Sequence, residues 1–184
     1  TKILPHNFNE IVEAAIKYLR GKKFELFPDF QTGGMVDVSE YQQGKRGGKV
    51  KVRAHIEELD KRTLVIRSVP YGVTTTQLME SIVKANDQGK IKIKKVTDNT
   101  AALVEVQIDL VAGISPDMTI DALYKFTDCE VSISPNACVI AAQRPQFLSV
   151  QELLKLSVDR TQDLLMQELL IRQAELREKW HYTS

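Results

Sequence analysis

The sequence predicts an α+β fold: an antiparallel or mixed sheet with helices, organised as a β-β-α-β-β core, plus a long C-terminal helix. Three observations predict it. Charged and apolar residues alternate from Lys49 to Glu58, and a β-rich run follows from Thr63 to Val69. Leu78, Met79, Ile82 and Val83 then recur at helical spacing before two further strand-like runs. Finally, no Gly or Pro occurs from Ser149 to about Trp180.

The elements follow in order. Asn7 precedes Phe8, Ile11, Val12, Ala15, Ile16 and Leu19, a helical spacing with Asn7 or Asn9 as N-cap and Gly21 as the stop. Residues 24 to 43 contain Pro28, Gly33 and Gly34 and read as loop with a short extended piece. Lys49 to Glu58 and Thr63 to Val69 form a hairpin about Asp60-Lys61-Arg62, closed by Pro70-Tyr71-Gly72. Thr74 to Thr76 offer N-caps to the next helix, which ends near Gly89. Strands are expected over Lys90 to Val96 and Ala101 to Ile108, joined at Asp98-Asn99. Ile120, Leu123 and Phe126 mark a short helix over Thr119 to Thr127, followed by strand pieces at Glu130 to Ile133 and Cys138 to Ala142. Ser149 and Glu152 make a capping box. The last helix, with Leu153, Leu154, Leu164, Leu165, Leu169, Ile171 and Leu176 as its apolar face, should run about 32 residues and roughly 48 Å. A helix of that length bridges to something further or forms a coiled coil. Residues 1–148 are thus expected as one α+β domain and 149–184 as the start of a long helix.

Composition bounds the function. The chain has 184 residues, 43% hydrophobic and 27% charged, ordinary values for a globular protein. Its net charge of +1 gives no global attraction to polyanions, so any nucleic-acid binding must come from local patches. No apolar run approaches the ~20 residues that span a bilayer, and no signal peptide is visible. Cys129 and Cys138 suit a reducing compartment and read as structural thiols. The start on Thr1, inside an apparent motif, suggests a fragment.

The most informative stretch is QGKRGGKVKVRA at 43 to 54, with five cations, three glycines and no acid. It is not a P-loop: Gly48-Lys49 would require Gly at the position of Gln43 and a hydroxyl at that of Val50. G-x-G-x-x-G is also absent. What remains is a glycine turn entering a strand, with Lys49, Lys51 and Arg53 on one face and Val50, Val52 and Ala54 on the other. A nucleic-acid contact and a solvated hairpin edge both fit that pattern. Lys90, Lys92, Lys94 and Lys95 form a second basic segment, read as a solvated strand face.

Signals for catalysis are thin. His6, His55 and His181 are far apart in sequence, and neither H-E-x-x-H nor G-x-S-x-G occurs. Glu57, Glu58 and Asp60 belong to a hairpin and read as solvated acids. Of Tyr18, Tyr41, Tyr71, Tyr124 and Tyr182, none stands in a nucleophile setting, and Tyr18 and Tyr124 read as packing. From the residues alone, the chain is a module that binds nucleic acid or a protein partner.

Four stretches together carry a family resemblance: ILPHN at 3 to 7, FQTGGM at 30 to 35 with Tyr41 and the basic turn after it, SVPYGVTTTQLMESI at 68 to 82, and LYKFTDCEVSISPNACVI at 123 to 140. In this order and spacing the chain resembles the A subunit of bacterial type IIA DNA topoisomerases. The fourth stretch and EKWHY at 178 to 182 are more similar to topoisomerase IV A than to gyrase A. The turn is about two residues longer than the usual gyrase pattern, and Gln31 stands where proline is common.

The resemblance implies a tower-domain fragment that supports bent double-stranded DNA, followed by the start of helices leading to a dimer gate. The family's Arg-Tyr nucleophile motif has no counterpart here, so no catalytic residue is expected and the fragment should be inactive alone. Ile3 matches the residue that the family inserts between base pairs. Such a wedge offsets unstacking by bringing more protein onto the bent duplex. His6 and Asn7 would contact DNA beside it, with Asn7 equally suited to capping the helix. Lys45, Arg46, Lys49, Lys51 and Arg53 would supply backbone charge without reading bases. No cofactor or metal is implied in this segment, since ATP and Mg2+ belong to the partner B subunit. The implied setting is a cytoplasmic A2B2 enzyme with an A-subunit homodimer.

Overall fold

The structure, a computed structural model, describes residues 2–141 and 143–183. The chain forms two compact units. One gathers Thr1–Pro28, Gln43–Lys45 and Asn136–Ser184, the other Asp29–Gln42 and Arg46–Pro135.

The second unit holds the expected α+β body. Strands β1 (Met35–Asp37), β2 (Val50–Arg53) and β7 (Glu130–Ile133) make a three-stranded sheet with β2 in the middle. Strands β3 (His55–Asp60), β4 (Thr63–Ser68), β5 (Ile93–Asp98) and β6 (Val106–Leu110) make a four-stranded sheet ordered β3-β4-β6-β5. Every pairing in both sheets is antiparallel. Helix α2 (Thr75–Asp87) starts at a complete capping box between Thr74 and Gln77, so its register is set by local chemistry. Helix α3 (Pro116–Phe126) begins with Pro at its first position, three residues ahead of the expected start, because a proline there lacks only an N–H that the helix does not need.

The core of this unit joins sheet and helices. Leu64 and Ile66 from β4, Val106 and Ile108 from β6, Leu78 and Ile82 from α2, and Leu123 from α3 are each 0% exposed and form one cluster. Each such side chain contributes about 1.5–3 kcal/mol on transfer from water.

The expected strand from Lys49 to Glu58 is two strands in two sheets. The break falls at Ala54. Its N–H donates to the Cys129 carbonyl at 2.8 Å and its carbonyl accepts from the Tyr124 hydroxyl at 2.9 Å, so a buried residue leaves the ladder with both polar groups paired. The strands expected over Lys90 to Val96 and Ala101 to Ile108 shift to Ile93–Asp98 and Val106–Leu110. The Asn86 side chain accepts from the Ile93 N–H at 3.0 Å and holds the entry to β5, while a loop takes up 99 to 105.

In the first unit, α1 (Phe8–Leu19) is capped by Asn7, whose side chain accepts from the Asn9 N–H at 3.0 Å. Strands β8 (Cys138–Ala141) and β9 (Arg144–Phe147) pair as a hairpin. Ala142, to which the expected strand extended, lies outside the described residues. Ser149 and Glu152 form the predicted capping box at the start of α4 (Val150–Thr183), which spans 34 residues and so roughly 51 Å. The Tyr18 hydroxyl of α1 donates to the Asp159 carboxylate of α4 at 2.9 Å, and Lys155 Nζ lies 6.0 Å from the Tyr18 ring centre. Among the described residues no helix is long and apolar enough to cross a membrane.

Candidate nucleic-acid interface

The expected contact residues fall in both units. In the first unit, Lys2 and Asn136 exchange two backbone hydrogen bonds, each 2.8 Å, which pin the chain just before α1. Beyond this bridge Leu4 is turned inward, 4% exposed, while Ile3 stands outward at 45%. Ile3 is therefore not an ordinary core residue at a helix entrance. His6 Nδ1 lies 2.8 Å from the Leu4 carbonyl, which orients the ring, and Asn7 is engaged as the helix cap. Ile3, His6 and Asn7 thus sit on one anchored segment. Lys45, also in this unit, approaches Glu152 at 3.7 Å. Hydrogen bonds from Ser149, and secondarily the Lys45 charge, hold the Glu152 carboxyl below its ordinary range.

In the second unit the basic turn enters β2 through a tight glycine contact. A Cβ on Gly48 would collide with the Tyr41 carbonyl oxygen, and the next N–H, from Lys49, donates to the Glu40 carbonyl at 2.8 Å. Only glycine lets these backbones approach so closely. Beyond it the predicted alternation holds: Lys49, Lys51 and Arg53 are exposed, while Val50, Val52 and Ala54 are 0% exposed. A Cβ on Gly34, of the FQTGGM stretch, would strike the Arg53 carbonyl oxygen.

The cations on this face are not equivalent. Arg53 is ion-paired with Glu130 and lies 5.0 Å over the Tyr124 ring. The hydrogen bond to Glu130 raises its pKa, so it stays charged but shares that charge. Asp37 faces Lys51 across the β1–β2 ladder, its carboxyl held low mainly by hydrogen bonds from Ser39. Among the described residues Arg46, Lys49 and Lys51 form no ion pair. The two acids that engage Lys45 and Arg53 were missed in the sequence, because Glu130 is 77 residues from Arg53 and no local pattern joins them.

This surface can attract and position an anion. Burial pushes the Tyr41 phenol up to about 12 and the Cys129 thiol up to about 11, so neither is an activated nucleophile. Tyr18 is raised as well, first by its hydrogen bond to Asp159, and Tyr124 by desolvation. His55 is exposed and lies 3.1 Å from Glu57. Among the described residues no group of three His, Cys, Asp or Glu could hold a metal.

The described residues thus combine an α+β body bearing an outward cationic strand with an anchored, exposed isoleucine. Comparison with known proteins gives the family. The sequence model for the DNA gyrase/topoisomerase IV family, in its A-subunit form, matches residues 1–184, and the chain belongs to that family. It is 41% identical over 183 residues to the DNA topoisomerase 4 A chain of Borreliella burgdorferi, a match covering 100% of this chain and 29% of that protein. It is 31% identical over 183 residues to the DNA gyrase A chain of Lawsonia intracellularis, covering 90% of this chain and 22% of the relative. The DNA topoisomerase 4 A chain of Staphylococcus epidermidis is 28% identical over 176 residues, covering 84% of this chain and 22% of the relative. The chain therefore spans under a third of the length of these relatives.

Proposed function

We propose that this chain is the DNA-supporting tower segment of a type IIA topoisomerase A subunit, of the topoisomerase IV kind. The intact enzyme would break both strands of one duplex, pass another through and reseal the break, driven by ATP. In this reading residues 1–148 are the tower-like part and 149–184 the start of the helices leading toward a dimer gate. Double-stranded DNA is the ligand, the partners are the B subunit together with a second copy of the A protein, and the setting is cytoplasmic. The B subunit supplies the ATP and Mg2+ chemistry, and this segment carries no catalytic residue and no cofactor of its own.

The observation that carries the reading is Ile3: an isoleucine 45% exposed, one residue beyond a segment fixed by two backbone hydrogen bonds. A wedge needs an apolar tip in solvent on a stiff support, because unstacking a base step costs a few kcal/mol and a loose side chain would yield first. His6 and Asn7 stand behind it. Lys45, Arg46, Lys49, Lys51 and Arg53 supply phosphate-directed charge.

The test is Ile3→Ala in the intact A subunit. DNA bending, read by fluorescence transfer between duplex ends, should fall and cleavage should slow, while the thermal midpoint stays near wild type. An exposed residue leaves no cavity when truncated, whereas a buried one would cost about 2–5 kcal/mol. Unchanged bending would reject the wedge.

A further inference from the structure

We infer that the β5 edge of the four-stranded sheet is a second phosphate-contacting surface for duplex DNA, distinct from the basic turn. The inference rests on the DNA-binding reading above. Four lysines, Lys90, Lys92, Lys94 and Lys95, occur within six residues without an acid between them. All four are exposed, while Ile91 and Ile93 between them are buried.

Their density comes from a register irregularity. Ile93 pairs with Leu110 and Lys95 with Asp109, so two residues of β5 span one step of β6 and Lys94 is the extra one. Strict alternation would turn either Lys94 or Lys95 inward; the bulge leaves both facing solvent.

The described residues also give these lysines no ion pair. Asp109 is the cross-strand neighbour of Lys95, yet its carboxylate accepts from Gln107 Nε2 at 2.9 Å instead. Lys90 and Lys125 converge on one ring, with ammonium groups 5.7 and 5.5 Å from the Phe126 centre, which adds a fifth cation rather than a counter-charge. Glu80 and Asp128 border the groove that Lys90 lines, but no lysine of this group forms an ion pair among the described residues.

A cation elsewhere on the same sheet, Arg67, is set the opposite way, matched to acids across the strands. His55 and Glu57 of β3, Arg67 of β4 and Glu105 just before β6 form a continuous series of polar pairs at 3.1, 2.9 and 2.6 Å. Protection of an exposed edge against strand pairing calls for a charge or a bulge, and Lys94 alone supplies both. Lys90 and Lys92 lie outside the strand and do not serve that purpose. A polyanion of regular charge spacing matches the whole set, and a duplex is the one the reading above supplies.

The test uses the 184-residue chain and a short fluorescein-labelled duplex, with anisotropy titrations across a salt series. K92Q/K94Q/K95Q should keep the wild-type circular dichroism. It should lower the magnitude of the log–log salt slope by about 0.9 for each phosphate no longer neutralised, hence roughly 2–3 in all. K92R/K94R/K95R should keep the wild-type slope. An unchanged slope in the Gln variant, or an equal fall in the Arg variant, overturns the inference. So does unchanged duplex binding with loss of affinity for polyglutamate, which would assign the edge to an acidic protein. R46Q/K49Q/K51Q separates the two readings: if the wild-type chain binds and only this variant flattens the slope, the β5 inference falls and the basic turn stands. No duplex binding by the wild-type chain overturns both.

Discussion

Leu64, Ile66, Ile82 and Ile108 are fully buried, whereas Leu164, Leu165, Leu169 and Ile171 of α4 stand 48–65% exposed. The residue types are the same and their fates are opposite. In the α+β body, a sheet face and two helices close on each other within about 80 residues, and the apolar pattern is consumed inside the unit. On α4 no residue is buried, and from residue 161 to 183 every position is exposed. Its apolar residues also spread round the helix, with Leu164, Leu165 and Met166 consecutive, rather than along one stripe. An apolar pattern therefore announces burial only where the chain brings its own second layer.

The sharpest way to break this comparison is a cavity in the closed region. Ile108→Ala removes a side chain at 0% exposure in the middle of the sheet, between β4 and β5. It should cost about 2–5 kcal/mol, read as a lower urea midpoint at unchanged m-value. A loss under about 1 kcal/mol would mean that the cluster can collapse around the gap and that the body is less closed than its burial indicates.

A smaller effect is expected where backbone rather than side chain is packed. Gly48→Ala would press a methyl group against the Tyr41 carbonyl oxygen and carbon, and backbone gives less readily than a flexible side chain. The expected cost is about 1–3 kcal/mol of overpacking. The same variant should displace Lys49, whose N–H bond to Glu40 lies beside the collision, and so weaken duplex binding without removing any cation. Binding and stability unchanged together would show that this glycine is only a flexible link.

These residues also show what sequence could and could not carry. The alternation of Lys49, Lys51 and Arg53 against Val50, Val52 and Ala54 was legible because a period of two is a local property. The Ser149–Glu152 capping box was legible for the same reason, and so was an N-cap among Thr74 to Thr76, though its pairing with Gln77 was not read. The passage from one sheet to another at Ala54 was not, since the alternation runs on unbroken and the partners that stop it, Cys129 and Tyr124, are remote. Strand β9 was missed because Pro145 argues against a strand, yet β8–β9 is an isolated pair in which a proline on an open edge loses no bond. At the candidate site, the outward setting of Ile3 follows from a bridge to Asn136 that no nearby residue foretells, and the acids beside Lys45 and Arg53 are invisible to local reading.

The boundary between the two behaviours along α4 is its capped first turn, where Gln151 to Leu154 are half-buried. Ser149→Ala removes both the hydroxyl that caps the Glu152 N–H at 3.2 Å and a donor to its carboxylate at 2.8 Å, and should cost about 1 kcal/mol. A pH series sharpens the result. The Glu152 pKa is lowered in the folded chain, first by the Ser149 N–H. Its contribution is therefore fully present above the unfolded carboxyl value of about 4.3 and is lost as pH falls through the lower folded value. Wild type should lose helicity on acidification over that window and Ser149→Ala less so. Parallel acid profiles would assign the cap no role.

The smallest expected effect is the most informative about α4. Leu169 is 65% exposed, so Leu169→Ala removes little buried area in this chain. Alanine is also the better helix former by a small margin, which offsets part of any loss. The change in stability should lie within about 0.5 kcal/mol, as for surface substitutions generally. The same substitution in the full-length A protein is the decisive companion. If the remainder of that protein or its dimer covers this face, Leu169 becomes a core residue there and the cost should rise toward 2–5 kcal/mol. A cost near zero in both settings would mean that α4 keeps an apolar surface in water throughout. A large cost in the isolated chain would mean that Leu169 already packs against a neighbour, contrary to its exposure. Thermal unfolding of the two proteins, each with and without the substitution, gives the four values that decide it.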